Sequence, residues 1–152
     1  MDDLDALLSD ARTRLRGVAK VRIGAPRAPG RIRRVLGARP VIAPIAEAWH
    51  LGVLLVGDDA VWATGSVLRA AEEARRGYTA ESQRQRAEIR AMAFRGGFRE
   101  GETFHFDAQP IDADRPGPLV REGERIMVRW SPAGFLMPLD AYLDERIALA
   151  RE

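Results

Sequence analysis

Leu4, Leu7, Leu8, Ala11, Leu15 and Val18 recur three and four residues apart, the spacing of one helical face. They predict a helix over about 3–16, with Asp2 and Asp3 as amino-terminal carboxylates and Gly17 as its stop. The period then disappears. IGAPRAPGRIRR (23–34) contains Pro26 and Pro29, which cannot continue a helix, and Gly24 and Gly30 loosen it further; residues 23–37 are expected to form a mobile basic loop. Pro40 and Pro44 make PVIAPIA an edge strand or irregular chain. In EAWHLGVLLVGDDAVWATG (47–65) two apolar runs flank Gly57-Asp58-Asp59, a hairpin pattern. Trp49, Leu51, Val53 and Leu55 fall on one face, and His50, Gly52, Leu54 and Val56 on the other. Both faces are apolar beyond Gly52, which predicts a central strand covered on both sides.

YTAESQRQRAEIRAMAFRGGF (78–98) reads as a second helix, capped at Thr79 and ended at Gly96-Gly97. Its stripe Ser82, Gln85, Ile89 and Met92 is apolar only in the second half. ETFHFD (102–107) alternates as a strand with Phe104 and Phe106 inward and His105 and Asp107 outward. PLVREGERIMVRW (118–130) is a second hairpin turning at Glu122-Gly123-Glu124, with Ile126, Val128 and Trp130 on one face. Phe104, Phe106, Val128 and Trp130 are expected beside the strand of Trp49. Pro138 suits a first helical position, and Leu139, Leu143, Ile147 and Ala150 make a closing helix. The order predicts a single α+β domain over 1–152. Its mainly antiparallel sheet would be built from two hairpins and further strands, with amino-terminal, central and carboxy-terminal helices.

Composition changes this picture mainly through charge. The 152 residues are 46% hydrophobic and 30% charged, enough apolar material for a core. Net +2 conceals a segment from Ala11 to Ala46 with ten cations and no acid, Arg31, Arg33 and Arg34 among them. These three are candidates for holding a polyanion, an acidic partner or nucleic acid. Nucleic acid is the weaker fit, because no aromatic residue precedes Trp49 to stack on a base. The acidic start MDDLDALLSD is unlike a signal peptide, and no apolar run approaches the ~20 residues of a membrane span, so a cytoplasmic location is expected.

Chemistry is sparse. No cysteine is present, and Gly-x-Ser-x-Gly, Ser-x-x-Lys, Walker and Gly-x-Gly-x-x-Gly patterns are absent. His50 with His105 and Asp107 would form a two-histidine, one-carboxylate set, but the spacing lacks a ligand pattern, and neither metal nor cofactor is expected. The polar end of the central helix is the best pocket candidate. Ser82 and Gln85, with Tyr78 and His50, would form the lip of a small-ligand site. Phe135, Leu136 and Met137, consecutive in an expected loop, suggest an apolar contact, and a homodimer through Phe135 and Met137 is expected.

AWHLGVLLVGDDAVWATG, RRGYTAESQRQRAEI and VRWSPAGFLMPLDAYLDERI resemble a set of small actinobacterial proteins of unassigned function, some of them labelled glutaminases. The resemblance spans roughly residues 38–150. It implies amide hydrolysis as an alternative activity, around Ser82, Gln85, Tyr78 and His50. Serine-dependent glutaminases use a Ser-x-x-Lys nucleophile that this chain lacks, so the label brings no catalytic residues with it. The residues themselves favour a non-catalytic protein that binds a small ligand or an acidic partner.

Overall fold

The structure, a computed structural model, describes residues 2–28, 30–37, 39–72 and 80–152. In chain order the elements are α1 (Asp2–Arg14), β1 (Val21–Arg27), α2 (Arg31–Val35), β2 (Val41–Leu51), β3 (Leu54–Val56), β4 (Val61–Ala63) and β5 (Ser66–Arg69). There follow α3 (Glu81–Gly96), β6 (Thr103–Phe106), β7 (Gln109–Pro110), β8 (Leu119–Glu122), β9 (Arg125–Arg129), β10 (Leu136–Pro138) and α4 (Leu139–Ala150). The fold is α+β, and β1–β6 is the one parallel pair whose register is defined. Contacts group the chain into two compact units: Met1–Lys20, Ala48–Thr64 and Ala108–Glu152 form the first, Val21–Glu47 and Gly65–Asp107 the second. The chain therefore passes from one unit to the other four times, once within β2.

In the first unit α1 follows its predicted stripe. Leu4, Leu8, Ala11 and Leu15 are buried, and Gly17, at φ 86°, takes the left-handed conformation that ends the segment. The expected long strand after Trp49 is instead two strands. β2 and β3 pair as Trp49↔Val56, His50↔Leu55 and Leu51↔Leu54, leaving Gly52-Val53 as a two-residue turn. Gly52 stands at φ 64°, and a Cβ there would run into the Tyr142 hydroxyl. Tyr142, absent from the predicted face of α4, closes this turn: its hydroxyl accepts from Val53 N at 2.8 Å and donates to the Leu51 carbonyl at 2.9 Å. The turn reassigns the faces. Trp49, Leu51, Leu54 and Val56 enter the core with Val61. Leu55 on the other face of β3 is also fully buried as expected, and of the four residues predicted to share a face only Val53 is half-buried. Gly57-Asp58-Asp59 remains a turn, now between β3 and β4.

The strands β8 and β9 form the second predicted hairpin, with Gly123-Glu124 between Glu122 and Arg125. Ile126 and Val128 are buried, but Trp130 is 42% exposed and lies outside the core. The expected apolar loop is in part a strand: β10 pairs with β9 as Leu136↔Arg129 and Met137↔Val128. Leu139, Leu143 and Ile147 of α4 are buried as expected, with Tyr142 beside them, whereas Ala150 is exposed.

The second unit surrounds β6, which pairs with β5 on one side and β1 on the other. Its side chains on both faces are covered as well. Phe104 is buried, Phe106 only half-buried, and His105, expected to face solvent, is 1% exposed. The core here joins Ile42, Ala70, Ala93, Phe98 and Phe104, with the Phe98 and Phe104 rings 4.9 Å apart. Phe104 and Phe106 thus belong to this cluster and not to that of Trp49. Gly96 lets α3 close against β2, since a Cβ there would strike the Ile42 carbonyl. Residues 23–34, expected as a loop, supply the end of β1 and the start of α2. Pro26 sits within β1 but beyond Arg22, Ile23 and Gly24, so no defined pairing with β6 calls on its missing N–H. PVIAPIA likewise begins a regular eleven-residue strand, with Pro44 well before the Trp49–Leu51 stretch that pairs with β3.

Arg22 ties this unit together. Its Nε and a terminal nitrogen each stand 2.7 Å from a Glu102 oxygen, and its guanidinium lies 4.8 Å from the Phe98 ring centre. Held first by that guanidinium and further by the Arg99 N–H, the Glu102 carboxyl is lowered from 4.5 to about 2 despite the opposing effect of its burial.

Candidate functional site

The helix α3 starts at Glu81 and ends through Gly97 at φ 117°, as its glycine pair predicts. Ile89, Met92 and Phe94 pack on the second unit's core, and Ala87, Ala91 and Ala93 are buried. The amino-terminal half extends into solvent. Ser82 and Gln85 are both exposed, and the Gln85 amide meets Glu81 at 3.5 Å. Tyr78 and Thr79 lie outside the described residues. His50 belongs to the first unit, where it is exposed with Nε2 2.9 Å from the Gly52 carbonyl oxygen. Among the described residues no hydrogen bond gives Ser82 a base, which nucleophilic hydrolysis would require.

The concave surface on α3 lies one step around from Ser82 and Gln85. Gln83, Arg86, Ala87 and Arg90 are spaced 3, 1 and 3 and share a helical face. With Val67, Leu68 and Arg69 of β5 they line a cleft of about 370 Å³. Arg90 Nε donates to the Arg69 carbonyl at 2.7 Å, which fixes the guanidinium against the strand. Three arginines therefore line one cleft, and among the described residues no carboxylate lines it with them. Gln83 adds an amide, while Val67, Leu68 and Ala87 provide an apolar wall. This face was visible in the sequence as Arg86 and Arg90 four apart. The strand opposite was not, because SVLR is too short to show alternation.

Arg31, Arg33 and Arg34 lie on α2, a five-residue helix with no buried residue. Ile32 among them, and Val35 and Leu36 just after them, are 79–83% exposed. A polyanion would use the charge but not these three aliphatic side chains. Four other cations of the basic segment are engaged within the fold: Arg12 donates to the Gly57 carbonyl, Arg14 pairs with Asp144, Lys20 with Asp58, and Arg22 with Glu102.

Phe135 is 63% exposed and stacks on Trp130 with ring centres 6.2 Å apart. Met137 is half-buried and packs against the first unit's core, so it offers little to a second copy. Among the described residues no cluster of three or more histidine or carboxylate side chains could hold a metal ion, and no helix is long and apolar enough to cross a membrane. No protein-family model, curated protein or solved structure matches the chain.

Proposed function

We propose that this chain is a small cytoplasmic, non-catalytic protein that binds an anionic ligand, carrying a carboxylate or phosphate, in the cleft between α3 and β5. The observation that carries this reading is the lining of that cleft: Arg69, Arg86 and Arg90, with no acid beside them among the described residues. Guanidinium groups held near one another repel, and an anion between them relieves the repulsion while accepting paired N–H donors. The apolar wall suits a ligand with a carbon skeleton behind its charged group. Ser82 and Gln85 then border the cleft's helix without forming its floor, in keeping with their exposure.

Titration with citrate and with inorganic phosphate, followed by backbone amide NMR shifts, tests the proposal. Saturable shifts should centre on Gln83, Arg86, Arg90 and the β5 amides. Losing one charge-assisted contact in Arg86→Ser or Arg90→Ser should weaken binding about tenfold or more. Undiminished binding in both variants, or no saturable response to either anion, would refute the assignment.

A further inference from the structure

The helix α2 presents an arrangement that folded chains rarely leave uncovered. Ile32, Val35 and Leu36 follow i, i+3, i+4 spacing, so they form one apolar face, and each is about four-fifths exposed. Arg31 flanks that face on one side and Arg33 on the other, Arg34 lies behind it, and Arg27 and Arg39 lie in the neighbouring chain. What fits such a face is a groove with an apolar floor and an acidic rim.

The first unit has such a groove. Leu7 of α1 and Ile126 of β9 contribute its floor, within a volume of about 430 Å³. Asp3, Asp10, Glu124 and Asp140 line it with Arg125, and of these acids Asp10 also meets Arg14 at 3.3 Å. The charge on the two units is matched in the same sense. The first unit carries 14 acids and 10 lysines or arginines, net −4, and the second 14 arginines and 8 acids, net +6. A contact of α2 with α2 in a second copy would bring arginines onto arginines, whereas α2 against this groove brings them onto carboxylates.

We propose that the chain self-associates by seating α2 of one copy in the acidic groove formed by α1, β9 and the start of α4 of another. Ile32, Val35 and Leu36 cover Leu7 and Ile126, and Arg31 and Arg33 face Asp3 and Glu124. The contact joins two different surfaces, so reciprocal exchange closes a twofold dimer, and one-way exchange builds a chain of copies. This contact is independent of the cleft on α3.

Sedimentation velocity with two charge-reversed variants provides the test. Arg31→Glu/Arg33→Glu makes the helix acidic, and Asp3→Arg/Glu124→Arg makes the groove basic. Wild type should associate at high micromolar concentration and dissociate as salt rises. Each variant alone should be monomeric, and mixing the two should restore association, because each acidic surface then meets a basic one. Ile32→Ser/Val35→Ser, which touches neither core, should also abolish association while leaving the far-ultraviolet circular dichroism unchanged. A wild type that stays monomeric overturns the proposal, whether or not it binds vesicles of anionic phospholipid through Ile32. So does association that survives both reversals, that fails to return on mixing, or that is lost only in Phe135→Asp.

Discussion

In the first unit α1 and α4 bring Leu4, Leu8, Leu15, Leu139, Leu143 and Ile147 to a core that also contains Trp49 and Tyr142, and its net charge is negative. The second unit encloses a smaller cluster in which Ala70 and Ala93 pack with Ile42, Phe98 and Phe104, and its net charge is positive. Fewer large side chains mean less apolar area removed from water, at roughly 25 cal/mol per Å². The second unit compensates with a bidentate ion pair between Arg22 and Glu102, and it leaves α2 wholly outside any core. One unit is organised around burial. The other offers the arginine-lined cleft proposed to hold an anion and the exposed helix proposed to seat in the first unit's groove.

The largest expected effect breaks the smaller core. Phe104→Ala should cost about 3–5 kcal/mol, since it empties the space beside Phe98. All three tryptophans, Trp49, Trp62 and Trp130, lie in the first unit, so their fluorescence reports on that unit, while circular dichroism sees both. A loss of stability seen by dichroism, with an unmoved fluorescence transition, would show two cooperative bodies. Coincident shifts by both probes would show one. No change by either would refute the assignment of Phe104 to a core.

Tyr142→Phe comes next. It leaves Val53 N–H and the Leu51 carbonyl without their hydroxyl partner and should cost about 1–3 kcal/mol in urea denaturation. An unchanged midpoint would mean that the turn is held by Gly52 alone.

Glu102→Gln should cost about 1 kcal/mol at neutral pH, discounted for the partial exposure of the pair. The sign of its pH dependence follows from a folded value of about 2 set against an ordinary 4.5. The ionised carboxylate stabilises the fold above pH 4.5, and that stabilisation is lost as pH falls from 4.5 toward about 2. Wild type and Glu102→Gln should therefore differ at pH 7 and converge in acid; a gap that stays constant down to pH 2 would contradict the ion pair.

The smallest effect is expected on α2. Arg31→Ser, Arg33→Ser and Arg34→Ser together should change the melting free energy by no more than about 0.5 kcal/mol, because the helix buries nothing. A larger loss would move α2 from the binding side of the comparison to the structural side.

The same contrast explains what the sequence made legible. The apolar stripes of α1 and α4 and the turn of Gly123 could be read directly, because period and turn chemistry are local. Tyr142 could not, since its hydrogen bonds reach residues 89 and 91 positions away. The Gly52 turn was hidden inside a run that is apolar on both sides of it, so alternation continued unbroken across the reversal. The run from residue 23 to 34 looked irregular because of its prolines, yet Pro26 lies inside β1, beyond the residues whose pairing with β6 is defined. At the candidate site, the arginine content was evident but its partition was not. Which cations pair internally and which point outward depends on carboxylates as distant as Asp144 from Arg14. The polar start of α3 drew notice to Ser82 and Gln85. The cleft formed on the adjacent face because β5, too short to predict, lies there.

Tyr142 also has a bearing on the order in which the chain acquires its shape during synthesis. The second unit draws on no residue beyond Asp107, so all of its parts are present before the last third of the chain is made. The first unit waits longer: Leu51 and Val53 receive the Tyr142 hydroxyl only when α4 has been made. Bringing together segments so far apart costs loop entropy that slows closure. Vectorial synthesis should thus let the arginine-rich body close first, while the leucine-rich body is completed only after α4 has emerged.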